Sequence, residues 1–162
     1  CYEKGIGVAK NPEKAFQLYQ IASDSGNLDA TNSLGYCYEK GIGVAKNPEK
    51  AYQLYQIASK CGNLNATYNL GHCYRYGIGV TKNDQEGFRL YQTASEGGNL
   101  NATNSLGYCY EKGFGVAKNL EQAIQLYQIA SKGGIIKARK NLSRLNKSGK
   151  FECSVMPLNN HE

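Results

Sequence analysis

The stretch NLDATNSLGYCYEKGIGVAKNPEKAYQLYQIASKCG, residues 27–62, decides the fold. Within it Ala30, Leu34, Cys37 and Tyr38 recur at helical spacing and form one apolar stripe. Asn27 carries the short polar side chain of a helix N-cap. Gly41 has the freedom to end that helix in the left-handed region. The run from Gly41 to Lys46 reads as a tight reversal, with Ile42 and Val44 turned to the interior. Asn47-Pro48 then announces a second helix, because a capping Asn is followed by Pro at the first helical position, where a missing N–H costs nothing. Ala51, Leu54, Tyr55 and Ala58 make its stripe, and Gly62 closes it. The spacing therefore predicts a helical hairpin.

This hairpin repeats. Cys1, Cys37, Cys73 and Cys109 are each 36 residues apart. The same shift relates Gly7, Gly43, Gly79 and Gly115, Leu18, Leu54, Leu90 and Leu126, and Ala22, Ala58, Ala94 and Ala130. One hairpin cannot cover its own apolar face, so successive copies must stack. Gly35, Gly71 and Gly107 sit mid-helix, where Gly costs ~1 kcal/mol against Ala, so helices are expected to touch closely there. The fold expected is all-α, a right-handed α-solenoid of stacked hairpins. The array covers residues 1–147, about four 36-residue units with a truncated first helix and a C-terminal capping helix. Residues 148–162 lack the period and are expected to form a disordered tail. The chain opens on Cys1-Tyr2-Glu3-Lys4-Gly5, a run that recurs as a helix end, so it is expected to start inside an element of a longer array.

Charge separates the candidate partners. Of 19 basic residues, six lie in Lys137–Lys150 with no acid among them, leaving 13 basic and 13 acidic residues in the remainder. A nucleic-acid binder carries its basic stripe along the body, and this body is neutral. No apolar run approaches the ~20 residues that span a bilayer, and no secretory leader is legible.

Few motifs carry chemistry. Gly41-x-Gly43 lacks the further Gly of a dinucleotide fingerprint and the Gly-Lys-Ser/Thr of a phosphate loop, and it follows a helix rather than a strand. No cofactor is expected. The four aligned cysteines lie on equivalent helices, which pack no closer than ~8–10 Å, whereas a disulfide needs Cα atoms within ~7 Å. They read as free buried thiols and point to a reducing, cytoplasmic compartment; Cys61 and Cys153 stand apart. Formal glycosylation sequons, such as Asn65-Ala66-Thr67, recur with the repeat and read as incidental. His72 and His161 are the only histidines and form no catalytic arrangement, and the acids are expected at scattered, solvent-facing positions. No catalytic or metal-ligating residue is proposed.

The pattern Ala30-x3-Leu34-Gly35-x2-Tyr38-x2-Gly41-x-Gly43-Val44, followed by Ala51-x2-Leu54-Tyr55-x2-Ala58-x3-Gly62, resembles the Sel-1-like repeat (SLR), a relative of the tetratricopeptide repeat. The resemblance runs from Cys1 to about Asn146. It implies a non-catalytic scaffold or adaptor whose first helices line a concave face and bind other proteins or peptides. The Cys-Tyr-Glu-Lys-Gly-Ile-Gly-Val style is similar to fungal arrays appended to protein kinases, which implies a kinase domain in the same full-length chain. Secreted bacterial members have two cysteines per repeat, and this chain has one. Two further readings stay open, a secreted repeat-type hydrolase and a helical-repeat RNA binder.

On the implied concave face the copies differ in a concentrated way. Asn32 is matched by Tyr68 and Asn104, and Tyr36 by His72 and Tyr108. Glu39 is matched by Arg75 and Glu111, and Lys40 by Tyr76 and Lys112. The central unit changes all four positions while the core positions stay constant. Tyr68, His72, Arg75 and Tyr76 are therefore the candidate protein-binding patch, flanked by Tyr36 and Tyr108, with Asn32, Asn104 and Glu111 beside them. Tyr and Arg are enriched at interface hot spots; drift on a tolerant surface is the alternative.

Overall fold

A computed structural model describes residues 11–147. Eight α-helices fill them in the order α1 (Pro12–Asp24), α2 (Leu28–Lys40), α3 (Pro48–Lys60), α4 (Leu64–Tyr76), α5 (Asp84–Glu96), α6 (Leu100–Lys112), α7 (Leu120–Lys132) and α8 (Ile136–Lys147). No strand occurs among the described residues. Each helix packs on its neighbours in the chain, so the hairpins α2–α3, α4–α5 and α6–α7 stack into an α-solenoid. The disordered-tail expectation for residues 148–162 lies outside the described residues, as do Cys1, Cys153 and His161.

Capping follows the sequence closely. The carboxamide oxygens of Asn47, Asn83 and Asn119 accept from the third helical amide of α3, α5 and α7 at 2.9–3.0 Å. Those of Asn27, Asn63 and Asn99 do the same for α2, α4 and α6 at 2.8–2.9 Å. The first helices end on Gly41, Gly77 and Gly113, all left-handed. Against expectation, α3 is capped by Cys61, and Gly62 follows it as the left-handed residue with φ +88°. Ile42 and Val44 are half-buried rather than fully inside.

Two contacts explain the invariant glycines. A Cβ on Gly35 would sit 2.8–2.9 Å from the Tyr55 ring, and on Gly107 3.0 Å from the Tyr127 ring. The mid-helix glycine thus lets a tyrosine of the second helix lie flat under the first. Gly79, in the α4–α5 loop, has its Cα face against the Pro48 carbonyl and Glu49 amide that open α3 in the preceding hairpin. That backbone-on-backbone seat sets the repeat-to-repeat spacing.

Hydroxyl pairs bridge each second helix to the next first helix: Ser23–Thr31 at 2.8 Å, Ser59–Thr67 at 2.9 Å and Ser95–Thr103 at 2.8 Å. The core between layers is alanine, leucine and tyrosine, with Ala51, Tyr55, Ala94 and Tyr127 almost wholly buried. The aligned cysteines Cys37, Cys73 and Cys109 are buried thiols outside any disulfide, and Cys61 is an exposed one. Burial pushes Cys73 up to about 12 and Cys109 up to about 11, so neither is a ready thiolate near neutrality. An alkylating reagent should label Cys61 of the native protein quickly and leave Cys73 and Cys109 untouched until the chain unfolds. Peptide-resolved mass spectrometry reads this directly, and fast native labelling of Cys73 would show that the layers are open.

Candidate functional site

The first helices line one face of the array, and α4, α6 and α8 enclose a cleft there of about 320 Å³. Tyr68, His72 and Tyr76 lie at successive i, i+4 positions of α4 and share a face. The His72 and Tyr76 rings are 4.4 Å apart between centroids, and Tyr68 leans on Tyr91 of α5 at 5.8 Å. Tyr108 faces them from α6. Tyr76 is 54% exposed, so the aromatic wall is open to solvent at one edge. Burial holds His72 below its usual value; Lys40, Lys137 and Arg75 push the same way, and Glu39 opposes them.

Of the nine sequence-predicted residues, the cleft brings together Tyr68, His72, Arg75, Tyr76, Asn104 and Tyr108. Their exposure differs from expectation. Arg75 is only 7% exposed. Its Nη1 donates to Asp84 Oδ1 at 3.1 Å, and the guanidinium lies 3.4 Å from the Phe114 ring centroid. It borders the cleft as a buried group instead of projecting into it. Asn104 is buried too, and its side-chain oxygen accepts from Asn141 Nδ2 at 3.2 Å.

Asn32, Tyr36 and Glu111 are not brought to the cleft. Asn32 accepts from Asn69 Nδ2 at 2.8 Å, in the same ladder register that joins Asn104 to Asn141. Tyr36 is exposed on α2. Glu111 ties three helices together: it accepts from the Tyr127 hydroxyl at 2.9 Å and from Arg144 at 2.6 Å, and it pairs with Lys112 at 2.8 Å. The Glu111 side chain is only 6% exposed, and its counterpart Glu39 is buried and accepts from the Tyr55 hydroxyl at 2.9 Å. The expectation that the acids all face solvent therefore fails at these two positions. A buried carboxylate is tolerable when hydrogen bonds replace its water.

Burial pushes the Glu111 carboxyl up, but hydrogen bonds from Arg144, Lys112 and Tyr127 outweigh it and hold the group below its ordinary 4.5. A depressed carboxyl stabilises the fold fully above the unfolded value, and that stability is lost as pH falls through the folded one. The melting temperature should therefore drop on acidification below about 4.5. Glu111→Gln should lower the neutral-pH value and make the acid drop shallower. An unchanged acid slope in that variant would remove Glu111 from the explanation.

Sequence reasoning missed Asn101, Ser105, Lys137, Lys140, Asn141 and Tyr91, all of which line the cleft. The signal was present in the period. Lys137, Lys140 and Asn141 stand 36 residues after Asn101, Asn104 and Ser105, so they continue the same face of the next first helix. In the sequence these residues fall in the capping helix, where a polar, basic face is expected to meet solvent. Among the described residues no three His, Cys, Asp or Glu side chains converge as metal ligands. Among the described residues no helix is long and apolar enough to cross a membrane.

The Sel1 repeat model matches residues 1–27, 28–63, 64–99 and 100–135. The chain is similar to a Sel1 repeat protein from Oxalobacter formigenes, with 32% identity and TM-score 0.82 over 92% of this chain and 61% of that one. It is similar to a protective antigen of uropathogenic Escherichia coli displaying an SLR fold, with 28% identity and TM-score 0.78 over 91% of this chain and 32% of that one. Cysteine rich protein B of Helicobacter pylori aligns with 26% identity and TM-score 0.63 over 82% of this chain and 96% of that one. The chain thus spans less than two thirds of the first two relatives. No curated protein matches the sequence.

Proposed function

The chain belongs to the Sel1 repeat family, and from that premise we propose that it docks a protein partner in the cleft formed by α4, α6 and α8. Repeats of this family are in general protein-interaction scaffolds with a non-catalytic fold. The observation that carries the reading is the cleft itself, where tyrosines and amide side chains converge on the one hairpin whose surface departs from its neighbours. Rigid aromatic side chains with a polar tip suit partner recognition at low entropic cost.

The wider setting is a module of a larger signalling or regulatory protein, with a kinase domain as a candidate neighbour in the full-length chain. The repeat style supports that neighbour. The one aligned thiol per first helix, with Cys61 standing apart at the end of α3, supports a reducing, cytoplasmic compartment. No observation favours the hydrolase reading.

The test is quantitative capture of partners from a lysate of the source organism by the wild-type chain and by Tyr76→Ala/Tyr108→Ala. Truncating hot-spot tyrosines costs ~2 kcal/mol or more, about a 30-fold loss of affinity. Partners should be lost from the variant at unchanged helicity. Equal capture by both proteins would reject the cleft, and salt-sensitive capture of RNA alone would favour the nucleic-acid reading.

A further inference from the structure

In each hairpin a tyrosine of the second helix runs beneath the mid-helix glycine of the first. In two of the three the phenol has a carboxylate supplied by its own hairpin: Tyr55 donates to Glu39, and Tyr127 donates to Glu111, both at 2.9 Å. The central hairpin breaks this rule. Tyr91 occupies the same place, but Arg75 stands where the others carry Glu. Arg75 turns its Nη1 to Asp84, and its Nε is buried with no hydrogen-bond partner. A buried donor left without a partner is destabilising, and a ligand that supplies an acceptor recovers that loss. The first helix of this hairpin therefore supplies no carboxylate to its tyrosine, and Asp84 reaches the Arg75 Nη1 but not its Nε.

Tyr91 and Arg75 both line the cleft. Its lining includes Lys137 and Lys140 and contains no Asp or Glu. At about 320 Å³ it sits at the low end of the ~300–1,000 Å³ typical of ligand pockets. It has room for a side chain or two of an extended segment and is too small for a packed helix. Asn101 and Ser105 lie along its edge and can bond the backbone of such a segment.

Resting on the partner-docking function proposed above, we propose that the cleft takes an Asp or Glu side chain of an extended partner segment, whose carboxylate replaces the one missing between Tyr91 and Arg75. Lys137 and Lys140 supply charge complementarity around it and steer the encounter.

The experiment selects a random dodecapeptide phage library on the wild-type chain and measures the synthesised winners by fluorescence anisotropy. Asp or Glu should be enriched at one position of the selected peptides, and its replacement by Asn or Gln should weaken binding at least tenfold. Lys137→Glu/Lys140→Glu alters two exposed side chains, so the fold should persist while affinity falls at least tenfold. A second variant, Arg75→Glu/Asp84→Pro/Gly87→Ala, fills the position from within and should also block acidic peptides. Peptides that require Tyr76 and Tyr108 but show no acidic preference overturn this inference and leave the docking function standing. Peptides indifferent to Tyr76→Ala/Tyr108→Ala, or no selected peptides at all, overturn both.

Discussion

Gly79→Ala is expected to destabilise the array by about 2–5 kcal/mol, a large effect for a single methyl group. Two costs add. Gly79 has φ +66°, and the left-handed region costs a residue with a Cβ ~1–2 kcal/mol. The added Cβ would also lie inside the Pro48 carbonyl and 2.8 Å from the Glu49 amide nitrogen. Backbone cannot rotate away as a side chain does, so overpacking of ~1–3 kcal/mol follows. Gly62→Ala separates the two terms: its φ is +88°, yet nothing lies within 4 Å of its Cβ position. That variant should lose only the conformational part. Urea unfolding followed by circular dichroism compares the midpoints. Equal losses in both variants would show that the loop does not bear on the preceding hairpin. Because repeat arrays couple only through nearest neighbours, the Gly79 variant should also broaden the transition as α3 and α4–α5 begin to unfold separately.

Arg75→Glu is expected to cost about 3–5 kcal/mol, the range for breaking a buried ion pair by removing one member. The side chain at 75 is 8% exposed and that of Asp84 27%, so the variant places two carboxylates together with little water. The loss should be largely reversed by adding Asp84→Pro and Gly87→Ala. The reason lies in the neighbouring hairpins. Where Glu39 stands, the matching residues are Pro48 and Ala51; where Glu111 stands, they are Leu120 and Ala123. Arg75, Asp84 and Gly87 thus form a set: the acid pairs the guanidinium, and the glycine brings α5 against α4, where a Cβ would come 3.1 Å from the Gly71 carbonyl oxygen and 3.3 Å from Arg75 Cβ. Thermal melts of the single, double and triple variants measure this coupling. Purely additive losses would mean that the three residues vary independently.

These residues also show what was legible in advance. The helices, their asparagine caps, the glycine stops and the buried thiols are local or periodic features. Each depends on side chains within about one turn, or on an offset of 36 that appears in every copy. The six cleft residues named from the sequence were found by comparing copies, because variation on a constant scaffold marks surface under separate demands. What the comparison could not reveal was depth. Glu39, Arg75 and Glu111 are polar, and polarity alone suggests solvent. Their burial is decided by the Tyr55 hydroxyl, Asp84 and the Tyr127 hydroxyl, which lie on the neighbouring helix of the hairpin.

The amino-acid order by itself determined that hairpins form and that they stack, because apolar stripes at helical spacing must be covered and each copy presents the same stripe to the next. Only the tertiary structure decided which polar groups go inside and where the groove opens. A hydrogen bond or ion pair between helices depends on distances of about 3 Å set by packing. The central hairpin could lose its internal carboxylate only because α4 and α5 provide Arg75 with Asp84 instead.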